Sequence, residues 1–136
     1  MADNPRDRRY SREHEWALPQ PDGTVLIGIT DFAQHELGDV VFVDLPDVGA
    51  RLAQFEKMGE IESVKSVSDL FSPLTGEVVA QNTDAIDGPE LVNQDPYYKA
   101  WLIRLRPANT KELDALLTAE QYEAFVAAEE AKKEKK

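Results

Sequence analysis

A mainly β fold is what this sequence predicts: a sandwich or partly closed barrel of antiparallel hairpins, with one short internal helix and helices at its C-terminal end. Three features carry the prediction. Glycine and proline punctuate the first three quarters of the chain densely, short β-rich runs lie between these marks, and past Pro107 the apolar spacing changes from strand-like to helical.

The elements follow in order. The turn residues Pro19-Gln20-Pro21-Asp22-Gly23 open a strand run over 24–29. Asp31 with Gln34 three residues on forms a capping box for a short helix, and Gly38 suits the position that closes it. Strand runs are expected at 40–45, 59–64, 67–71 and 76–81, separated by Pro46, Gly49, Pro73 and Gly76, with a last one at 101–106. Beyond it, Asn109 with Glu112 caps a turn bearing Leu113, Leu116 and Leu117. Thr118 with Gln121 caps a second helix that sets Tyr122, Phe125 and Val126 on one side. From Ala128 the chain is only Glu, Lys and Ala, so 128–136 is expected to be a charged, frayed tail. Residues 1–9 are expected to be a flexible segment and 10–127 the single domain.

With 136 residues, 42% hydrophobic and 30% charged, the chain has the composition of one globular domain with a real core. It contains no cysteine, which excludes disulfides, thiolate metal sites and a cysteine nucleophile. The net charge of −11 is uneven: residues 1–12 carry +2 and residues 128–136 carry +1, leaving −14 on residues 13–127. So acidic a body suits neither nucleic acid nor anionic membrane; a basic docking face or a cationic cargo suits it better. Runs such as Val25-Leu26-Ile27 and Val40-Val41-Phe42-Val43 are too short to cross a bilayer. The first dozen residues hold no signal-type apolar stretch, and Asp3 and Asp7 among the arginines argue against a transit peptide, so a cytoplasmic location is expected.

Conventional catalytic patterns are missing. His14 and His35 are the only histidines; neither lies in a nucleophile motif, nor do they have the spacing that sets two imidazoles on one helical face for a metal. They read as solvated or locally hydrogen-bonded. No glycine-rich phosphate loop occurs either. One constellation stands apart: Gly59 to Gly76, where two β-type runs flank Val64-Lys65 and Lys65 is the only basic residue between Lys57 and Lys99. The lysine is thus offered at a hairpin tip, although local pattern alone gives an exposed tip lysine no function.

The hairpin resembles the attachment hairpin of lipoyl-bearing and biotin-bearing domains, in which a tip lysine forms an amide with the prosthetic group. Biotin carriers usually set Met on both sides of the lysine, whereas Val64 and Ser66 flank it here. The wider sequence is similar to the H proteins of the glycine cleavage system. The resemblance rests on Ser11-Arg12-Glu13-His14-Glu15-Trp16, on 25–34, on 37–46, on Glu62-Ser63-Val64-Lys65-Ser66, and on Asn82 with Pro89-Glu90-Leu91-Val92-Asn93 and Pro96-Tyr97. It runs from about Tyr10 to Val126. Two departures are Ala100, where the family commonly has Gly, and Glu36, where some members carry His beside the cofactor cleft.

That resemblance implies an antiparallel barrel-sandwich hybrid of lipoyl-domain type and a non-catalytic carrier with lipoic acid joined to Lys65. It implies Glu62 and Gly76 as the lipoylation signature, three before and eleven after the lysine. Glu15, Glu36 and Asp69 are implied near a cleft that receives the loaded arm. The implied partners are the lipoyl-attaching enzymes, glycine decarboxylase (P protein), aminomethyltransferase (T protein) and dihydrolipoyl dehydrogenase (L protein). In that cycle the pyridoxal phosphate decarboxylase reductively aminomethylates the oxidised arm, the transferase releases ammonia and passes the one-carbon unit to tetrahydrofolate, and the dehydrogenase reoxidises the dithiol. Acidic walls would suit the protonated amine of the cargo, and Trp16 reads as core. A scaffold that donates octanoyl or lipoyl groups to other apoproteins is the alternative, since its sequence would look nearly the same. A lipoyl domain of a 2-oxoacid dehydrogenase fits less well, because such domains lack the neighbourhood from Asp31 to Pro46 and the C-terminal helices. An unmodified interaction domain leaves the intact signature unexplained.

Overall fold

The computed structural model describes residues 4–134 and is mainly β. Its strands are β1 (Arg9–Tyr10), β2 (Glu15–Pro19), β3 (Val25–Ile29), β4 (Val40–Asp44), β5 (Arg51–Leu52), β6 (Lys57–Ser63), β7 (Val67–Phe71), β8 (Gly76–Gln81) and β9 (Ile103–Pro107). The helices are α1 (Asp31–Leu37), α2 (Thr83–Asp87), α3 (Leu91–Gln94) and α4 (Ala119–Glu134), with a 3₁₀ turn over Thr110–Ala115. One sheet has six strands in the order β1-β2-β3-β9-β8-β5 and the other three in the order β4-β6-β7, all antiparallel. All six predicted strands are present. Among the described residues no helix is long and apolar enough to cross a membrane.

Alternation along the strands builds the core. Ile27, Ile29, Val78, Ile103 and Leu105 of the larger sheet meet Val43, Ile61 and Leu70 of the smaller in one buried cluster. Each such side chain contributes about 1.5–3 kcal/mol by leaving water. Trp16, next to Ala17 on β2, points the opposite way into a second cluster with Tyr10, Tyr97, Tyr122 and Val126, and α4 closes over it. The core reading of Trp16 holds: it is 0% exposed, and its indole N–H donates to the Ile29 and Pro96 carbonyls at 2.9 and 3.0 Å. Gly28 lies opposite it in register, where a Cβ would come 2.5 Å from the indole, so the ring has room only over glycine.

Four local expectations are corrected. The cap of α1 is Thr30, whose hydroxyl accepts from the Ala33 N–H, while Asp31 accepts from the Gln34 side chain. Asn109 caps a 3₁₀ turn, and Glu112 does not reach back to it; its carboxylate takes the N–H and hydroxyl of Thr75, both at 2.8 Å. Thr118 and Gln121 do form the reciprocal box, but α4 runs on to Glu134, with Glu129 held by His14 Nε2 at 3.2 Å, where a frayed tail was expected. Over residues 4–9, the expected flexible segment is packed. Arg8 is buried over the rings of Trp16, Tyr97 and Tyr98 and donates to the Tyr97 carbonyl at 2.7 Å, and Asn4 accepts from the Tyr97 hydroxyl. Residues 1–3 and 135–136 lie outside the described residues.

Candidate functional site

The loop between β6 and β7 is a four-residue turn, Ser63 to Ser66, with Val64 and Lys65 at its two central positions. It lacks the glycine or asparagine that hairpin turns favour, and a serine side chain compensates. Ser63 N–H donates to the Ser66 carbonyl at 2.8 Å, and Ser63 Oγ accepts from the N–H groups of Lys65 and Ser66, both at 3.2 Å. Ser63 itself is buried, so the turn has a fixed base, while Val64, Lys65 and Ser66 face solvent. The Val64 N–H donates to the Asp39 carbonyl at 3.0 Å and pins the tip to the connection between α1 and β4.

That connection is held in turn by Asn93 of α3, whose side chain accepts from the Val40 N–H at 2.9 Å and donates to the Gly38 carbonyl at 2.8 Å and to Gln34 at 3.0 Å. Sequence reasoning placed Asn93 in a motif without a role; a polar residue beside two hydrophobics, with no strand or cap to serve, was the available signal. Gly38 closes α1 at φ 79°, ψ −154°, a conformation essentially reserved to glycine. The stem of Lys65 lies against it.

The remaining predicted residues divide into separate groups. Glu62 is exposed on β6, one residue from the turn, between Phe42 of β4 and Val67 of β7 in register. Gly76 lies in the other sheet, paired with Leu52 and Pro107, where a Cβ would come 2.3 Å from the Arg106 carbonyl oxygen. Its place in the signature thus coincides with a packing requirement. Asp69 is on the solvent face of β7 and pairs with Lys57 Nζ at 3.2 Å, which also meets Glu60 at 2.9 Å. Glu36 is exposed near the end of α1, where its charge favours the protonated form of His14.

Glu15 is not an exposed cleft carboxylate. It is 1% exposed, takes the Ser11 hydroxyl at 2.6 Å on one oxygen and the Phe71 N–H at 3.1 Å on the other, and ties the end of β7 to the β1–β2 loop. Burial pushes its carboxyl up to about 8, with the two hydrogen bonds opposing, so at neutral pH it is mostly protonated. Ser11 and Phe71 also line a recess of about 290 Å³, walled by Tyr10, Phe55, Leu116 and Leu117. A second, wider recess of about 700 Å³ lies between α1 and α4 against Phe32, His35, Tyr122 and Val126. His14 is hydrogen-bonded rather than free, through Nδ1 to the Tyr122 hydroxyl at 2.7 Å, and burial lowers its affinity for a second proton.

With this geometry established, comparison with known proteins is specific. The family profile described as "Glycine cleavage H-protein" matches residues 8–129. The chain is 55% identical over 122 residues to a glycine cleavage system H protein of Oceanobacillus iheyensis, covering 90% of this chain and 96% of that protein. It is 56% identical over 122 residues to the H protein of Anoxybacillus flavithermus, covering 90% and 95%. The crystal structure of an H protein from Mycobacterium marinum superposes with a TM-score of 0.80 at 44% identity, over 88% of this chain and 95% of that one.

Proposed function

The chain belongs to the glycine cleavage H-protein family, the carrier component of that system, and from this premise we propose that it carries lipoate as an amide on Lys65 Nζ. Through that arm it shuttles the aminomethyl unit of glycine from the pyridoxal phosphate decarboxylase to the aminomethyltransferase and delivers the dithiol to dihydrolipoyl dehydrogenase. The observation that supports this reading most is the presentation of Lys65, on a turn fixed from within by Ser63 and from outside by the Asp39 carbonyl. A carrier needs a long lever on a rigid mount, and this hairpin supplies the mount.

The residues present fit a lipoyl group. Glycine at 38 leaves the lysine stem its space, Val64 keeps the turn free of competing charge, and the polypeptide itself holds no thiol. When bound, the group supplies a redox-active dithiolane. The chain's own part is to present, shelter and release. Asp69 and Phe71 share the solvent face of β7, which leads from the tip toward the recess beside Ser11. We read that recess as the resting place of the loaded arm, with Phe55, Phe71, Leu116 and Leu117 excluding water. Asp69 is a carboxylate along the path, its charge shared with Lys57, and Glu13 is another at the recess itself.

Reconstitution with the three partner enzymes tests the reading. The lipoylated chain is expected to support glycine-dependent formation of methylenetetrahydrofolate. Failure there, with efficient passage of the lipoyl group to other apoproteins, selects the scaffold alternative.

A further inference from the structure

His14 and Phe55 are the two non-glycine residues with positive φ among the described residues, at 70° and 67°. The side chain of His14 is tied into the fold through Tyr122 and Glu129. That of Phe55 is placed differently: its ring is 51% exposed and stands outside both buried clusters. An aromatic residue is unfavourable on such a backbone, because the left-handed region crowds the Cβ that glycine lacks.

Phe55 is the third residue of a tight turn, Ala53 to Glu56, in which the Glu56 N–H donates to the Ala53 carbonyl at 3.0 Å. A turn with positive φ at that position ordinarily takes glycine or asparagine. This one is clamped from several sides. The Phe55 N–H donates to the Ser72 carbonyl at 2.6 Å and the Ser72 N–H to the Glu56 carbonyl at 2.9 Å. The Gln54 N–H donates to Thr75 Oγ1 at 3.0 Å and the Ala53 N–H to the Glu56 carboxylate at 2.8 Å. Strain over-determined in this way holds a side chain where a looser turn would not. Here it holds the ring against the recess beside Ser11. Of the large apolar walls of that recess, Tyr10 and Leu116 are buried and Phe71 and Leu117 half-buried, so Phe55 alone of the five stands at the rim.

We propose that Phe55 is the shutter of this recess, its ring fixed at the rim so that it covers the loaded arm and keeps water from the cargo. The proposal rests on the reading of the recess as the arm's resting place, and it names the residue that sets how long the cargo survives there. The reaction held back is hydrolysis of the aminomethyl thioether. Its C–S bond breaks, water supplies the oxygen of formaldehyde, the sulfur is left as a thiol and the nitrogen departs as ammonium, with no oxidation or reduction. Because that loss consumes water, an apolar cover slows it without any charge of its own. The contribution of Phe55 should therefore be the same at low and high salt, unlike that of Asp69.

The test uses the full lipoylated chain, loaded by glycine and the decarboxylase and then isolated. Intact mass gives two readouts: the half-life of the cargo, and the rate at which iodoacetamide alkylates the remaining thiol of the arm. Phe55→Gly is expected to shorten the half-life about fivefold or more and to raise the alkylation rate by a similar factor, at low and high salt alike. Its unlipoylated form should unfold in urea at or above the wild-type midpoint, because glycine relieves the turn. Phe55→Leu, which keeps an apolar side chain on the same backbone, should leave both readouts within about twofold of wild type. Unchanged half-life and alkylation in Phe55→Gly overturn the proposal. So does a clear fall in its urea midpoint, which makes the ring a packing residue, and so do losses as large in Phe55→Leu, since an apolar cover is then not the cause. Wild-type cargo lost as fast as from free aminomethylated dihydrolipoamide defeats the recess as a resting place, whereas equal protection in wild type and Phe55→Gly defeats only the shutter.

Discussion

Gly38 and Lys65 are matched across the site: a Cβ on residue 38 would sit 3.2 Å from Lys65 Cε and 3.8 Å from Nζ. A residue that closes a helix thereby sets the space open to the lysine stem.

Gly38→Ala should therefore act twice. Its backbone conformation is strained for any residue with a Cβ, which costs about 1–3 kcal/mol, and the added methyl crowds the lysine. Chemical denaturation should show the first effect. Slower acylation of Lys65 at a temperature where the variant is fully folded should show the second; wild-type acylation there would mean that the stem needs no space at residue 38.

Gly76→Ala separates packing from recognition. With a Cβ 2.3 Å from the Arg106 carbonyl, the β8–β9 pairing must shift, and a loss of more than 2 kcal/mol is the expected order for backbone overpacking. A thermal scan measures it. If the variant keeps the wild-type midpoint yet is not acylated, the attaching enzyme reads this glycine directly.

Glu15 should make the protein lose stability as pH rises. Its carboxyl has an ordinary value of 4.5 and a folded value of about 8, so between these the folded state keeps a proton that the unfolded state has lost. The stabilisation is complete below pH 4.5 and fades as pH rises to about 8, a loss on the order of a few kcal/mol. In Glu15→Gln that fading should vanish, as urea unfolding from pH 5 to pH 9 would reveal. Parallel wild-type and variant curves would mean that the carboxyl is ionised in the fold.

Asp69→Asn removes an exposed carboxylate on the strand that leads from the tip to the recess. The isolated aminomethylated protein should release its cargo faster, and more so at low salt, because charge attraction there is least screened. Equal half-lives would leave retention to the lining of the recess itself, its apolar walls together with Glu13.

Much of this was readable from residue order, and the exceptions have physical causes. The strands with alternating β-branched residues and the reciprocal Thr118–Gln121 box are local patterns, and both are present. β1 and β5 are two residues long and owe their existence to partner strands, so no local period announces them. β2 begins with Glu15, whose polarity hid a buried position paired with Ser11. Glu112 was read as a local cap, but a partner 37 positions away in sequence, Thr75, took its carboxylate. At the proposed site, the place of Lys65 at a hairpin tip, with Glu62 just before the turn, was legible. What burial did to Glu15, and the pairing of Asp69 with Lys57, depend on contacts between strands that no sequence window contains.

The central claim is tested most directly by the mass of the protein as made in lipoylation-competent cells of its own source. Intact-mass and peptide-map measurement should find one lipoyl amide, on Lys65 and on no other lysine, and Lys65→Arg should lose it while unfolding within about 0.5 kcal/mol of wild type. A chain that emerges from such cells with Lys65 unmodified would contradict the account.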